Sequence, residues 1–160
     1  MIRSFDGIIR KAGVDLLRKD GDGIYMKLPQ VNAEMLVWNE ISEKTAKAWS
    51  KVTDKNKSFI FCANYGQAGA LSVIGNKYGI PEPVIFSDAF RYWLPLKFKD
   101  NIDEMVYVNG TDALDSRNFK DTKALFNEMV EIGRVDIPLA IEYGTRIYLF
   151  RKPKSDFNEF

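Results

Sequence analysis

The chain has no histidine and only one cysteine, Cys62, in 160 residues. Without an imidazole, Ser–His and Cys–His catalysis, His-ligated zinc and the usual proton shuttle near neutral pH are all excluded. One thiol can form neither an intramolecular disulfide nor a cysteine metal cage, and no metal ion is expected. Within its apolar stretch Cys62 reads as a small buried hydrophobe and not as a nucleophile. An excess of one charge is also missing. Lys plus Arg total 23 and Asp plus Glu 22, a net charge of +1. No long-range field attracts a polyanion, so nucleic acid is not an expected partner. Neither the three-glycine dinucleotide fingerprint nor a phosphate loop ending in Lys-Ser/Thr is present, and no cofactor is expected. Long hydrophobic runs are lacking too. Phe59 to Asn76 carries no charge, but Asn64, Gly66, Gln67 and Gly69 interrupt it, which suits a strand, turn and helix better than a membrane span. The opening Met1-Ile2-Arg3-Ser4 is not a basic-then-apolar leader.

What the chain does have is ample material for a core. It is 46% apolar and 13% aromatic, which argues against disorder and suits one domain spanning residues 1–160. Ile8, Ile9, Ala12, Leu16 and Leu17 lie at helical spacing and predict a helix to about Lys19, followed by a turn at Asp20-Gly21-Asp22-Gly23. A calcium-loop reading of that turn fails, because it puts Arg18 and Pro29 at the first and last ligand positions. Leu36, Val37, Ile41, Thr45, Ala48, Trp49 and Val52 form one stripe, predicting a helix from Asn32, its N-cap, to Val52.

Ser58 to Ala63 reads as a strand covered on both faces, and Gly66 to Tyr78 as a helix stopped by Gly79 and Pro81. Val84 to Ser87 and Glu104 to Val108 are the next strands. A strand–helix–strand unit of this length implies a right-handed crossover and parallel pairing of its two strands. A polar segment containing Asp112, Asp115, Ser116 and Asp121 suggests a short helix or loop. Phe126 to Val135 and Arg146 to Arg151 are expected as an antiparallel pair at one edge. The predicted fold is an α/β three-layer sandwich with a mixed, mostly parallel sheet and an antiparallel C-terminal edge.

Three places could carry chemistry. Asn64-Tyr65-Gly66-Gln67-Ala68-Gly69 leads from a strand into a helix, where free amides favour anions and small residues permit close approach. The alternative is a tight structural turn in which Gly69 packs on the sheet. Asp88, Phe90, Arg91, Tyr92 and Trp93 follow the second strand, at the sheet edge where ligands bind in open α/β folds. Aromatic faces beside a carboxylate can hold a sugar ring; the same cluster could equally contact another domain or a membrane surface. Glu142 precedes the last strand and could cap it or pair with Arg146. No pair of carboxylates stands out as a glycosidase couple.

Four runs occur in a telling order: Ala33 to Glu40 (AEMLVWNE), Asn64 to Leu71 (NYGQAGAL), Lys77 to Pro81 (KYGIP) and Tyr92 to Pro95 (YWLP). With the closing Ala140 to Arg151 (AIEYGTRIYLFR), they resemble the C-terminal soluble region of glycosyltransferase family 39, the dolichyl-phosphate-mannose–protein mannosyltransferase-like membrane enzymes of bacteria. The likeness covers roughly Pro29 to Pro153, and its motifs are specific in combination. It implies an extracytoplasmic, periplasmic accessory domain excised from a larger polytopic membrane protein whose sugar donor is a polyprenyl phosphate. The partners implied are the transmembrane part of that protein, a lipid-linked sugar or acceptor, and the membrane surface. The family's catalytic acidic residues lie between the first transmembrane helices, and none maps onto this sequence. Two other functions fit the residues: a free-standing α/β enzyme binding a nucleotide or metabolite after Ala63, and a protein-contact module using Tyr92-Trp93.

Overall fold

The computed structural model describes residues 35–85, 101–110 and 117–157, the isolated positions 8 and 11, and the backbone of 17–19 and 25–29. Two short strands, β1 (Leu17–Lys19) and β2 (Tyr25–Pro29), pair antiparallel. Leu17 to Lys19 is therefore extended where the apolar spacing predicts helix. Two residues of apolar period cannot distinguish a helix end from a strand with a bulged register, and the register here shifts between Leu17 and Lys19. The predicted turn at 20–23 and the N-cap at Asn32 lie outside the described residues.

Helix α1 (Trp38–Trp49) is shorter than its stripe, because Val37 holds the cap position without a side-chain hydrogen bond. It buries Ile41, Ser42, Thr45, Ala48 and Trp49. A 3-10 turn, Lys55–Lys57, follows, capped by the Asp54 carboxylate accepting from the Asn56 amide at 2.9 Å. Strand β3 (Ser58–Cys62) runs into α2 (Tyr65–Ile74), which tightens into a 3-10 turn over Gly75–Tyr78. Gly79 ends it at φ 69°, the left-handed conformation expected of a glycine after a helix. The remaining elements are β4 (Glu104–Asn109), α3 (Arg117–Ala124), β5 (Phe126–Arg134) and β6 (Arg146–Pro153).

The main sheet is mixed, in the order β3-β4-β6-β5. Only β3 and β4 pair as parallel strands; β4–β6 and β6–β5 are antiparallel. The expectation of a mostly parallel sheet is thus corrected. The returning strand β6 inserts beside β4, inside the sheet, so its antiparallel direction governs two of the three ladders. The crossover is right in direction: Val84 bridges Phe61 in parallel, with Val84 N donating to Ile60 O at 2.7 Å and Cys62 N to Val84 O at 3.0 Å. Residues 86 and 87, the rest of that expected strand, lie outside the described residues. The final two strands do form an antiparallel edge, with a register shift between Glu131 and Gly133 that marks a bulge in β5.

Alternation along β3, β4 and β6 sorts the core by chemistry. Ile60, Cys62, Val106, Val108, Ile147 and Leu149 meet α1 and α2 in an aliphatic cluster. Phe59, Met105, Tyr107, Tyr148 and Phe150 join Phe119 of α3 and Phe126 in an aromatic one. Its rings pack in tilted pairs, Phe126–Phe150 at 5.2 Å and Phe119–Tyr148 at 5.4 Å between centroids.

Candidate functional site

The parallel strands β3 and β4 end at the same edge of the sheet, and three segments converge there. Asn64 leaves β3 in an extended conformation and caps α2, its Oδ1 accepting from the Gln67 amide at 2.9 Å. That bond fixes the side chain's orientation and turns its Nδ2 toward Glu142. β4 finishes at Asn109 and Gly110. From the other side, Glu142 arrives on the turn before β6, where Gly144 at φ 86° donates its amide to Val135 O at 3.0 Å.

Glu142 is the hub. Asn64 Nδ2 donates to its Oε1 at 3.0 Å, while Gln67 Nε2 (2.8 Å) and Thr145 Oγ1 (2.5 Å) donate to its Oε2. Gln67 and Thr145 are fully buried, so a charged acceptor is what lets them leave water. Gly110 closes the fourth side: a Cβ there would sit 3.4 Å from Gln67 Nε2 and 3.6 Å from Glu142 Oε2. Two buried amides retain unused groups. Gln67 Oε1, and both Oδ1 and Nδ2 of Asn109, have no hydrogen-bond partner among the described residues. Tyr65 and Tyr143, next in sequence to Asn64 and Glu142, are both exposed.

The geometry settles several expectations. Asn64, Gln67 and Glu142, read from separate stretches, come together, with Tyr65 alongside. Gly66 is the glycine of close approach, since a Cβ there would lie 3.3 Å from Trp38 Cη2. Gly69 faces open space and does not pack on the sheet, because it falls on the outer side of α2. Glu142 does not pair with Arg146. Its two oxygens are taken by Asn64, Gln67 and Thr145, and Arg146 instead meets Glu131 at 3.3 Å. Asp88, Arg91, Tyr92 and Trp93 lie outside the described residues. Thr145, Asn109 and Gly110 went unread, although Asn-Gly ending a strand at this edge was a usable signal.

Chemically the cluster is an acceptor set held in place by neutral donors. The Gln67 amide is already taken and a carboxylate stands beside it, so this helix end suits hydroxyl groups better than anions. Cys62 contributes no nucleophile: burial pushes its thiol far up, and the nearby charges of Glu142 and Glu82 push the same way. At the opposite end of the sheet an open groove lies over Thr53, Asp103, Glu104 and Arg151, and its floor is an ion pair. There Glu104 accepts from Thr53 N at 2.5 Å and Arg151 Nε at 2.6 Å, which reads as a structural clamp. Among the described residues no three acidic or thiol groups converge as a metal site, and no helix is long and apolar enough to cross a membrane. No protein-family model, curated protein or solved structure matches this chain.

Proposed function

We propose that this chain is a non-catalytic recognition domain that binds a polyhydroxylated ligand, a sugar, at the Glu142 ledge. In this reading it is the extracytoplasmic, periplasmic part of a membrane glycosyltransferase drawing on a polyprenyl-phosphate sugar donor. Its partners are then the transmembrane part of the same protein and the lipid-linked sugar or acceptor. The complete fold is a three-layer sandwich, with α1 and α2 on one face of the sheet and α3 on the other.

The observation that carries the binding half is the ledge itself. A carboxylate oriented by three donors and a buried amide oxygen with no partner sit at the start of the helix whose first residue is the exposed Tyr65. Hydroxyls satisfy unused acceptors, and a tyrosine face offers an apolar bed for a sugar ring. The membrane half rests on the runs NYGQAGAL and AIEYGTRIYLFR. Their residues Asn64, Gln67, Glu142 and Thr145 form the cluster.

Titration of the isotope-labelled chain with mannose, glucose and a polyprenyl-phosphate mannose in micelles tests the binding half. The Asn64 and Gln67 side-chain amides are expected to shift saturably, and Tyr65→Ala to weaken the response. Silence of both amides with every sugar would retire it. The reading frame upstream of Met1 tests the membrane half separately, since the proposal requires several hydrophobic helices in the same protein.

A further inference from the structure

A second unsatisfied corner lies at the same end of the sheet but on its opposite face. Val106 and Val108 face the aliphatic cluster, and Met105 and Tyr107 the aromatic one, so Asn109 belongs to the aromatic face. It is fully buried, yet neither its amide oxygen nor its amide nitrogen has a partner among the described residues. Leaving both groups of a buried amide unused is costly, and a native protein rarely tolerates it without a function or a bound molecule.

Directly across the ladder, Asn109 pairs with Arg146, which in turn pairs with Arg134 on β5. Two arginines opposite each other on neighbouring strands repel. Glu131, bonded to Arg146 at 3.3 Å, offsets one of the two charges. Among the described residues no carboxylate bonds to Arg134, whose guanidinium stands 5.8 Å from the centre of the Tyr143 ring. The buried Arg146 Nε is unused as well. The rest of that side chain is about a third exposed and Arg134 is exposed, so the charged rim meets solvent while the amide itself lies buried across the ladder from it.

We propose that Asn109, Arg146 and Arg134 form a binding site for a phosphate monoester. Guanidinium groups match the oxygens of a tetrahedral anion and remain charged at all relevant pH. The amide adds the discriminating demand. Asn109 offers one donor group and one acceptor, so its complement must carry both. A singly protonated phosphate, or a phosphate with a neighbouring hydroxyl, does so, whereas a fully deprotonated carboxylate supplies acceptors alone. The site is independent of the Glu142 ledge, which lies on the other face and favours neutral hydroxyls.

The test follows the Asn109 side-chain amide and the Arg146 Nε–H by NMR in the labelled chain. Inorganic phosphate, glycerol phosphate, acetate and glycerol are added in turn at matched ionic strength. Both phosphates are expected to move the two signals together and saturably, with little response to acetate and none to glycerol. Arg134→Gln, at an exposed side chain, is expected to weaken binding about tenfold, the effect of losing one charge-assisted hydrogen bond. Arg146→Lys should weaken it at least as much, since the planar fork is lost. Vesicles of phosphatidylcholine with and without phosphatidic acid separate the sources: capture by phosphatidic acid alone would place the phosphate on a lipid. No saturable response to phosphate in either form overturns the proposal and leaves the amide to water. An undiminished response in both arginine variants overturns it too.

Discussion

Replacing Glu142 by glutamine changes one oxygen to an amino group, and no placement of that group keeps every surrounding bond. With its oxygen toward Gln67 Nε2 and Thr145 Oγ1, the new amide points its hydrogens at Asn64 Nδ2, a donor facing a donor. Rotating the Asn64 amide would cure the clash, but its Oδ1 is the cap of α2, accepting from the Gln67 amide at 2.9 Å. The relief would sacrifice the cap, worth about 1 kcal/mol. In the other orientation the new amino group can donate to Thr145 Oγ1 and, if the Gln67 amide flips, to its otherwise unused Oε1, but the Thr145 hydroxyl hydrogen and the Gln67 amino group lose their charged acceptor. Glu142→Gln should therefore destabilise the domain by about 1–2 kcal/mol, from the lost charge-assisted bond or the lost cap. Glu142→Ala strands two fully buried polar groups and should cost about 3 kcal/mol or more. Urea denaturation followed by Trp38 and Trp49 fluorescence measures both. If Glu142→Gln proves neutral, or as damaging as Glu142→Ala, the bonding assigned to the Glu142 cluster is wrong.

Other outcomes follow from the same structure. Burial alone would raise the pKa of Glu104, but the hydrogen bond from Arg151, the Thr53 amide and the Arg151 charge together hold it below its ordinary value. A depressed folded pKa contributes stability above the unfolded pKa that is lost as pH falls through the folded one. Wild type should therefore exceed Glu104→Gln by about 1–2 kcal/mol at neutral pH, discounted because Arg151 is partly exposed. The gap should close as pH drops below the carboxylate range; a gap constant with pH contradicts this. Gly75→Ala should cost about 1–3 kcal/mol, since the new methyl would run into the buried Ile80 side chain, and an unchanged denaturation midpoint would show that Ile80 moves freely. Finally, the purified chain should transfer no sugar from a labelled polyprenyl-phosphate donor to any acceptor. Turnover abolished by Asp88→Asn or Glu142→Gln would defeat the non-catalytic reading.

The sequence made the order of elements legible wherever apolar period and punctuation agreed. The β3–α2 unit, its stop at Gly79 and the two final strands all emerged from local signals. Sheet direction did not, because nothing local tells β6 to insert beside β4 instead of adding outside it. The candidate site was half legible. Asn64 and Gln67 share one cap, but their bond to Glu142 joins positions 78 and 75 residues away, and no local pattern encodes such a contact. Thr145 was hidden for the same reason, being an ordinary strand-entry threonine until the fold brings a carboxylate to it. Asn109 was hidden by burial, since an Asn-Gly at a strand end reads first as a turn.

Those long separations also bear on how the ledge comes into being. β3 and α2 can form early from neighbouring residues, but the Glu142 end of the cluster arrives only when β6 has entered the sheet. Contacts between distant residues incur their loop entropy before they return any stability. The ledge should accordingly be among the last parts to assemble and the first to come apart. Substitutions at Glu142 or Thr145 should then speed unfolding and leave the folding rate nearly untouched, whereas truncating Ile60 or Val106 should slow folding. A chevron in which Glu142→Ala shifts mainly the folding limb would reverse that order. If the order holds, the chain can open its Glu142 end briefly without dissolving the sheet behind it.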